Sequence, residues 1–212
     1  IKKAVFVDLI NNWDEATTIS KELREEIKKD FPVLNLETLK TVESKNKDSI
    51  KAVFKLKDGN IIETVLMKHL NTKDDDAKAG RNTVCVSSQV GCAMNCGFCA
   101  TGKMGLKRNL TSEEIIDQVL FFAQLLKKEN KTLNNVVFMG MGEPFLNYEN
   151  TIQAIKILND KDGFNIGIRH ISISTCGIVA GIEKFAGENM QVNMAISLHS
   201  ADDETRSKLM PI

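Results

Sequence analysis

The 212 residues carry no net charge, no apolar run long enough to cross a membrane and no secretory leader, and each absence closes a class of function. Lys and Arg number 28 against 28 Asp and Glu. There is thus no overall field to gather nucleic acid, and any RNA contact must rest on local features. No stretch approaches the roughly 18 to 20 apolar residues of a membrane span, so no membrane partner is expected. The first residues lack a basic region followed by an apolar run, so no signal peptide is read. Five cysteines is an odd count outside a secretory context, which argues against a disulfide framework; reduced thiols fit a cytoplasmic setting. The chain starts at Ile1 rather than Met and stops at Met210-Pro211-Ile212, and we expect an internal piece of a longer protein. With 42% hydrophobic and 26% charged residues, it can still bury a substantial core.

What is present centres on Cys92-Ala-Met-Asn-Cys96-Gly-Phe-Cys99, three thiols in a C-x3-C-x2-C run. Thiolates this close can hold one metal centre, but three leave it a ligand short. A [4Fe–4S] cluster held by three cysteines has one open iron, which S-adenosylmethionine can chelate through its amino and carboxylate groups. Gly91, Gly97 and Gly102 let the backbone wrap closely around such a group. The run therefore reads as a radical-SAM cluster loop. A zinc site is the alternative, and its fourth ligand has to come from elsewhere in the chain.

Residues 1 to 34 read as helical, with Ile19, Leu23 and Ile27 at helical spacing and Phe31-Pro32 ending the pattern. Trp13 reads as a packing anchor. Residues 49–58 and 60–67 alternate apolar and polar around Asp58-Gly59, a hairpin signal. Residues 69–82 form a polar, charged linker with the character of a mobile loop. From residue 83 strands alternate with helices. Thr83 to Ser87 leads into the cysteine loop, and Thr111 with Glu114 forms a capping box for a helix bearing Ile115, Val119, Phe122 and Leu126. Asn135–Met139 is a second strand, followed by a helix with Ile152, Ile155 and Leu158. His170–Ser174 and Gln191–Leu198 are further strands, with a short helix at Ile178–Phe185 between them. The fold class is α/β, a partial (β/α) barrel of four parallel βα units. We divide the chain into residues 1–40 (tail of a helical accessory domain), 41–82 (hairpin and linker) and 83–212 (core).

Candidate ligand residues fall after the strand ends, where sites of parallel α/β folds gather. Gly140-Met-Gly142-Glu143-Pro144 offers a tight turn and a carboxylate that can pair an ammonium group; taken alone, it is an ordinary turn with a surface Glu. His199 alone reads as a structural histidine, and Ser172 and Ser174 as polar positions facing the barrel interior. Cys85 and Cys176 alone read as small buried hydrophobes. Lys103, Lys107 and Arg108, like Asp74-Asp75-Asp76, read as solvated loop charges.

Together CVSSQVGCAMNCGFCATG, GMGEP, SISTCG and AISLHS closely resemble the radical-SAM RNA adenine methyltransferases, the RlmN/Cfr class. The resemblance implies that Cys92, Cys96 and Cys99 bind a [4Fe–4S] cluster. It implies that Gly142, Glu143, Ser174, Ser197, Leu198 and His199 contact S-adenosylmethionine. Glu63 matches a proton acceptor, and Cys85 a thiol that resolves a protein–RNA intermediate through a transient disulfide. In the mechanism that the resemblance implies, one S-adenosylmethionine methylates a cysteine late in the protein, and a second is cleaved to a radical that activates that methyl group for addition to an adenine ring carbon. The resemblance also implies 23S ribosomal RNA and transfer RNA as substrates, and flavodoxin or ferredoxin as electron donor. Pro144 favours the branch acting at adenine C2 over the antibiotic-resistance branch acting at C8. The methyl-carrying cysteine is expected beyond Ile212, so residues 1–212 alone are not expected to complete methyl transfer.

Overall fold

The computed structural model describes residues 1–69 and 80–212. The N-terminal segment is not one helix. It breaks into α1 (Lys2–Phe6), a 3-10 turn at Trp13–Glu15 and α2 (Lys21–Asp30). Ser20 caps α2 through its hydroxyl, which leaves Ile19 outside the helix, and α2 itself buries no residue. Trp13 does anchor the segment: it is buried and its Nε1 donates to Phe31 O at 2.6 Å.

The expected hairpin is two strands of a larger meander. β1 (Glu37–Glu43), β2 (Ser49–Lys55) and β3 (Ile61–His69) pair in antiparallel succession, and β3 pairs with β4 (Arg81–Cys85). β1 crosses the boundary drawn at residue 40. The β2–β3 turn is wider than a two-residue Asp-Gly turn, because Leu56 N donates to Asn60 O at 2.8 Å. Of the expected linker, residues 70–79 lie outside the described residues, while His69 closes β3 and Arg81 and Asn82 belong to β4. The strand expected at 83–87 thus starts two residues earlier, held there by pairing with β3.

After β4 come two short strands, β5 (Gln89–Gly91) and β6 (Leu106–Asn109), with α3 (Ala100–Lys103) between them. Then α4 (Ser112–Lys128), β7 (Asn135–Phe138), α5 (Tyr148–Asn159), β8 (Ile171–Thr175), α6 (Val179–Ala186), β9 (Asn193–Ile196) and α7 (Asp203–Leu209) complete the chain. The capping box forms as expected, with Thr111 and Glu114 bonding reciprocally. The main sheet runs β1-β2-β3-β4-β7-β8-β9, and β4, β7, β8 and β9 are parallel. Those four βα units are the expected partial barrel.

Alternation decides what each sheet face does. Phe54, Ile62, Leu66, Val84, Val136, Phe138, Ile171 and Ile173 point to one face and form the core with Ile115, Val119, Phe122, Ile152 and Ile155 of α4 and α5. The other face carries Val65, Cys85, Val137 and Ser172 in one registered row, with Glu63 and Ser174 each two residues along their strands. Strand C-termini, and hence the loops that follow β4, β7, β8 and β9, gather at one end.

Candidate active site: a three-thiol loop against four strand ends

The β5–β6 ladder closes the loop that carries the thiols, pairing Gln89 with Asn109, Val90 with Arg108 and Gly91 with Leu106. Gly91 is required there: its φ is +76°, and an added Cβ would lie 1.8 Å from Gly105 O. Cys92 N donates to Gly105 O at 3.1 Å and Cys99 N to Cys96 O at 3.0 Å. Arg108, expected as a solvated charge, is an anchor. Its Nε donates to Asp58 at 2.5 Å, and Nη1 and Nη2 donate to both oxygens of Glu114 at 2.7 and 2.8 Å. This bidentate geometry pins the loop's return strand to the β2–β3 turn and to the start of α4.

The Ser87-Ser88-Gln89 run ahead of the first thiol sews the loop to the turn after β7. Ser87 Oγ donates to Glu63 O at 2.6 Å and accepts from Met141 N at 2.9 Å. Ser88 N donates to Met141 O at 2.8 Å, and Gln89 Oε1 accepts from Glu143 N at 2.9 Å. Gln118 of α4 supports this run from below, accepting from Ser87 N at 2.8 Å and from Thr64 Oγ1 at 2.6 Å. Thr64, Ser87, Ser88, Gln89, Gln118 and Glu143 are buried and each is paired, as a rigid polar network requires.

A cavity of about 350 Å³ opens between this loop and the strand ends. Cys92, Cys96 and Cys99 form one wall; Gly142, Glu143, Ser174, Ser197 and His199 are on the others. Glu143 is buried, and each of its oxygens takes one backbone amide: Phe145 N at 3.0 Å and Cys176 N at 2.8 Å. Those bonds fix the carboxylate and leave acceptor capacity for a ligand cation. Ser174 Oγ and Ser197 Oγ stand 3.5 Å apart. His199, at φ +57°, stacks on Phe98 with ring centroids 4.3 Å apart.

Eight of the eleven predicted site residues therefore converge. Leu198 sits in the same turn as Ser197 and His199 but is exposed and does not line the cavity. Glu63 and Cys85 lie on the adjoining open sheet face. Glu63 pairs with Lys51 Nζ at 3.0 Å, and burial pushes the Cys85 thiol up to about 11, with the Met139 amide opposing. Sequence reasoning missed Gln89, Gln118, Met210 and the wall position of Cys176. Cys176 is a buried thiol as read, pushed up first by burial and then by the Glu143 charge.

The donor set suits an iron–sulfur cluster with an organic ligand. Soft thiols share one wall, and oxygen donors face them across the cavity. Burial pushes the Cys92 and Cys96 thiols up, and the charges of Cys99 and Glu143 add to it. Loading a cationic centre therefore displaces protons. The zinc alternative needs a closed set of four ligands, and the C-x3-C-x2-C run does not itself supply a fourth. Nor is any described helix long and apolar enough to cross a membrane.

The fold and this loop define a class, and residues 86–212 match the model of the Radical SAM superfamily. The chain belongs to that superfamily, whose chemistry rests on a [4Fe–4S] cluster and S-adenosylmethionine. Among particular relatives, it is 47% identical over 194 residues to "Ribosomal RNA large subunit methyltransferase N" of Nitrosopumilus maritimus, covering 91% of this chain and 55% of that one. It is 47% identical over 203 residues to "Probable dual-specificity RNA methyltransferase RlmN" of Staphylococcus carnosus, covering 96% and 53%. The crystal structure of a radical SAM methyltransferase from Sphaerobacter thermophilus superposes with a TM-score of 0.90 at 42% identity, covering 99% of this chain and 59% of that one. The chain thus spans about half the length of the curated relatives it matches.

Proposed function

We propose that this chain forms the cofactor-binding part of a radical-SAM methyltransferase acting at C2 of adenosine in 23S ribosomal RNA and in transfer RNA. The observation that carries the reading is the convergence of three cysteines with Glu143, Ser174, Ser197 and His199 around one cavity. The relatives' names supply the RNA, and Pro144, which opens the 3-10 turn capped by Glu143, supports the C2 branch.

In this reading Cys92, Cys96 and Cys99 hold the cluster. When bound, the cluster and S-adenosylmethionine together supply a one-electron cleavage that creates a carbon-centred oxidant. Glu143, fixed by two amides, pairs the ligand's ammonium group. Ser174 and Ser197 offer hydroxyls from the ends of β8 and β9, and His199 with Phe98, their rings tilted 35° to each other, forms an aromatic wall. Cys85 and Glu63 face the space beside the cavity, where an inserted base would lie. Glu63 accepts a proton there. Burial favours the protonated form of the Cys85 thiol, which lowers its thiolate fraction at neutral pH. The setting is cytoplasmic, with a flavodoxin or ferredoxin as electron donor.

Anaerobic reconstitution of the chain with iron and sulfide tests this. The expected product is brown, binds close to four irons, and forms 5′-deoxyadenosine from S-adenosylmethionine with dithionite. Cys96→Ala is expected to lose both the colour and the cleavage. Unchanged 5′-deoxyadenosine formation by the variant, or a colourless protein holding one zinc, overturns the reading.

A further inference from the structure

Arg206 does not line the cavity, yet it touches both strand ends that do. Its Nη2 donates to Cys176 O at 2.6 Å and leans on Ser197 O at 3.4 Å. Cys176 follows β8 and Ser197 follows β9, so one guanidinium bridges the two strand termini. The last backbone bond between them, Ser197 N to Thr175 O at 2.9 Å, lies beside this bridge. Gly177, at φ +112°, passes so close that an added Cβ would stand 3.2 Å from Nη2.

The helix carrying Arg206 also reaches the thiol loop. Gly97 N, between the second and third cysteines, donates to Leu209 O at 2.9 Å. Met210 is 1% exposed and packs with Cys96 and Cys176. Helix α7 itself buries none of its own residues. Arg206 is therefore the side chain through which this helix grips the sheet, and Leu209 and Met210 transmit the grip to the loop.

We propose that Arg206 is a positioning residue of the cofactor cavity. It locks the ends of β8 and β9 and, through α7, the Gly97 turn into one frame, and it holds a positive charge beside the thiol loop. Both contacts are made by Nη2, whose two N–H groups lie in the guanidinium plane and point at fixed angles to the two carbonyls, whereas a lysine ammonium keeps the charge on a flexible stem without that plane. A nearby positive charge also favours a reduced, more negative cluster and so raises its reduction potential. The inference rests on the reading of this cavity as the cluster and S-adenosylmethionine site.

The test compares the reconstituted chain with Arg206→Met and Arg206→Lys, using iron content, S-adenosylmethionine affinity by calorimetry, the cluster midpoint potential, and amide exchange in the metal-free protein. Both variants are expected to weaken S-adenosylmethionine binding roughly tenfold or more and to speed exchange across residues 94–99. Arg206→Met is expected to shift the potential to more negative values, and Arg206→Lys to leave it near the parent's. If Arg206→Met does not fold, Arg206→Gln takes its place as the neutral variant. Parent-like affinity, potential and exchange in the neutral variant overturn the inference. A parent chain that assembles no cluster overturns the underlying reading instead.

Discussion

The two sides of the cavity are built differently. The side made by residues 86–147 is densely bonded: Ser87, Ser88, Gln89 and Gln118 are all 2% exposed or less, and their side chains cross-link β3, β4, α4 and the turn after β7. The side made by residues 193–210 is lightly tied. No residue of β9 is buried, Ile196 and Leu198 are more than half exposed, and α7 is fastened through Arg206, the Gly97–Leu209 bond and Met210. The thiols belong to the dense side, and Ser197 and His199 to the sparse one. A cluster ligand set must be preorganised because three donors have to meet one rigid group, so stiffness there serves assembly. A wall that meets an organic ligand can instead gain order when the ligand arrives, as low-stability elements beside binding sites commonly do.

The sharpest way to break the dense side is Gly91→Ala. The residue has φ +76°, and its new methyl group would meet Gly105 O at 1.8 Å, a backbone atom that cannot rotate away. The β5–β6 ladder must open to relieve it, so we expect a loss of about 4 kcal/mol from strain and broken pairing together. Iron content after reconstitution should fall with it. Denaturant unfolding and iron analysis check both, and a variant that melts like the parent would show that the loop is not closed by this contact.

What could be read in the sequence follows from the range of the interactions involved. The capping box of α4 and the cysteine spacing were legible because their partners lie within a few residues. β1 was not: all seven of its residues are exposed, so no alternation marks it, and only its pairing with β2 makes it a strand. β5 and β6 are three and four residues long and exist because the loop closes. In the site, Gln89 and Gln118 act on groups 54 and 31 residues away, and a lone glutamine in a sequence announces nothing of the kind. Arg108 was misread in part for the same reason: its Asp58 partner lies 50 residues earlier, while Glu114, 6 residues on, is brought to it by the turn into α4.

The dense side also contains a group that opposes it. Asp117 of α4 is 7% exposed; one of its oxygens accepts from Asn35 N at 2.9 Å, and burial raises its carboxyl to about 6 from an ordinary value of 3.8. Because the folded protein holds this proton more tightly than the unfolded chain, the destabilising effect is absent below pH 3.8. It grows as pH rises toward 6 and is complete at neutral pH. Asp117→Asn keeps an acceptor for Asn35 and removes the charge. The expected gain is about 2 kcal/mol at pH 8, shrinking to nothing near pH 4. Urea unfolding at the two pH values measures it, and an equal gain at both would mean that charge burial is not the cause.

The sparse side should yield less to a comparable insult. Asp202 caps α7, its Oδ2 accepting from Thr205 N at 2.7 Å on an exposed surface, and hydrogen bonding from the Thr205 hydroxyl first and its amide second holds the carboxyl below its ordinary value. Asp202→Ala removes the cap, and the expected lowering of the melting temperature is about 2 to 4 °C. For a carboxylate held low the sign is opposite to that of Asp117: the stabilisation is present at neutral pH and is lost as pH falls through the acid range. Helix α7 should fray at its start while Arg206 still holds its centre, so exchange should quicken at residues 203–205 and not at Gly97. If Gly97 loosens equally, the cap and Arg206 act as one unit, and the light fastening of this side is a single cooperative contact rather than several independent ones.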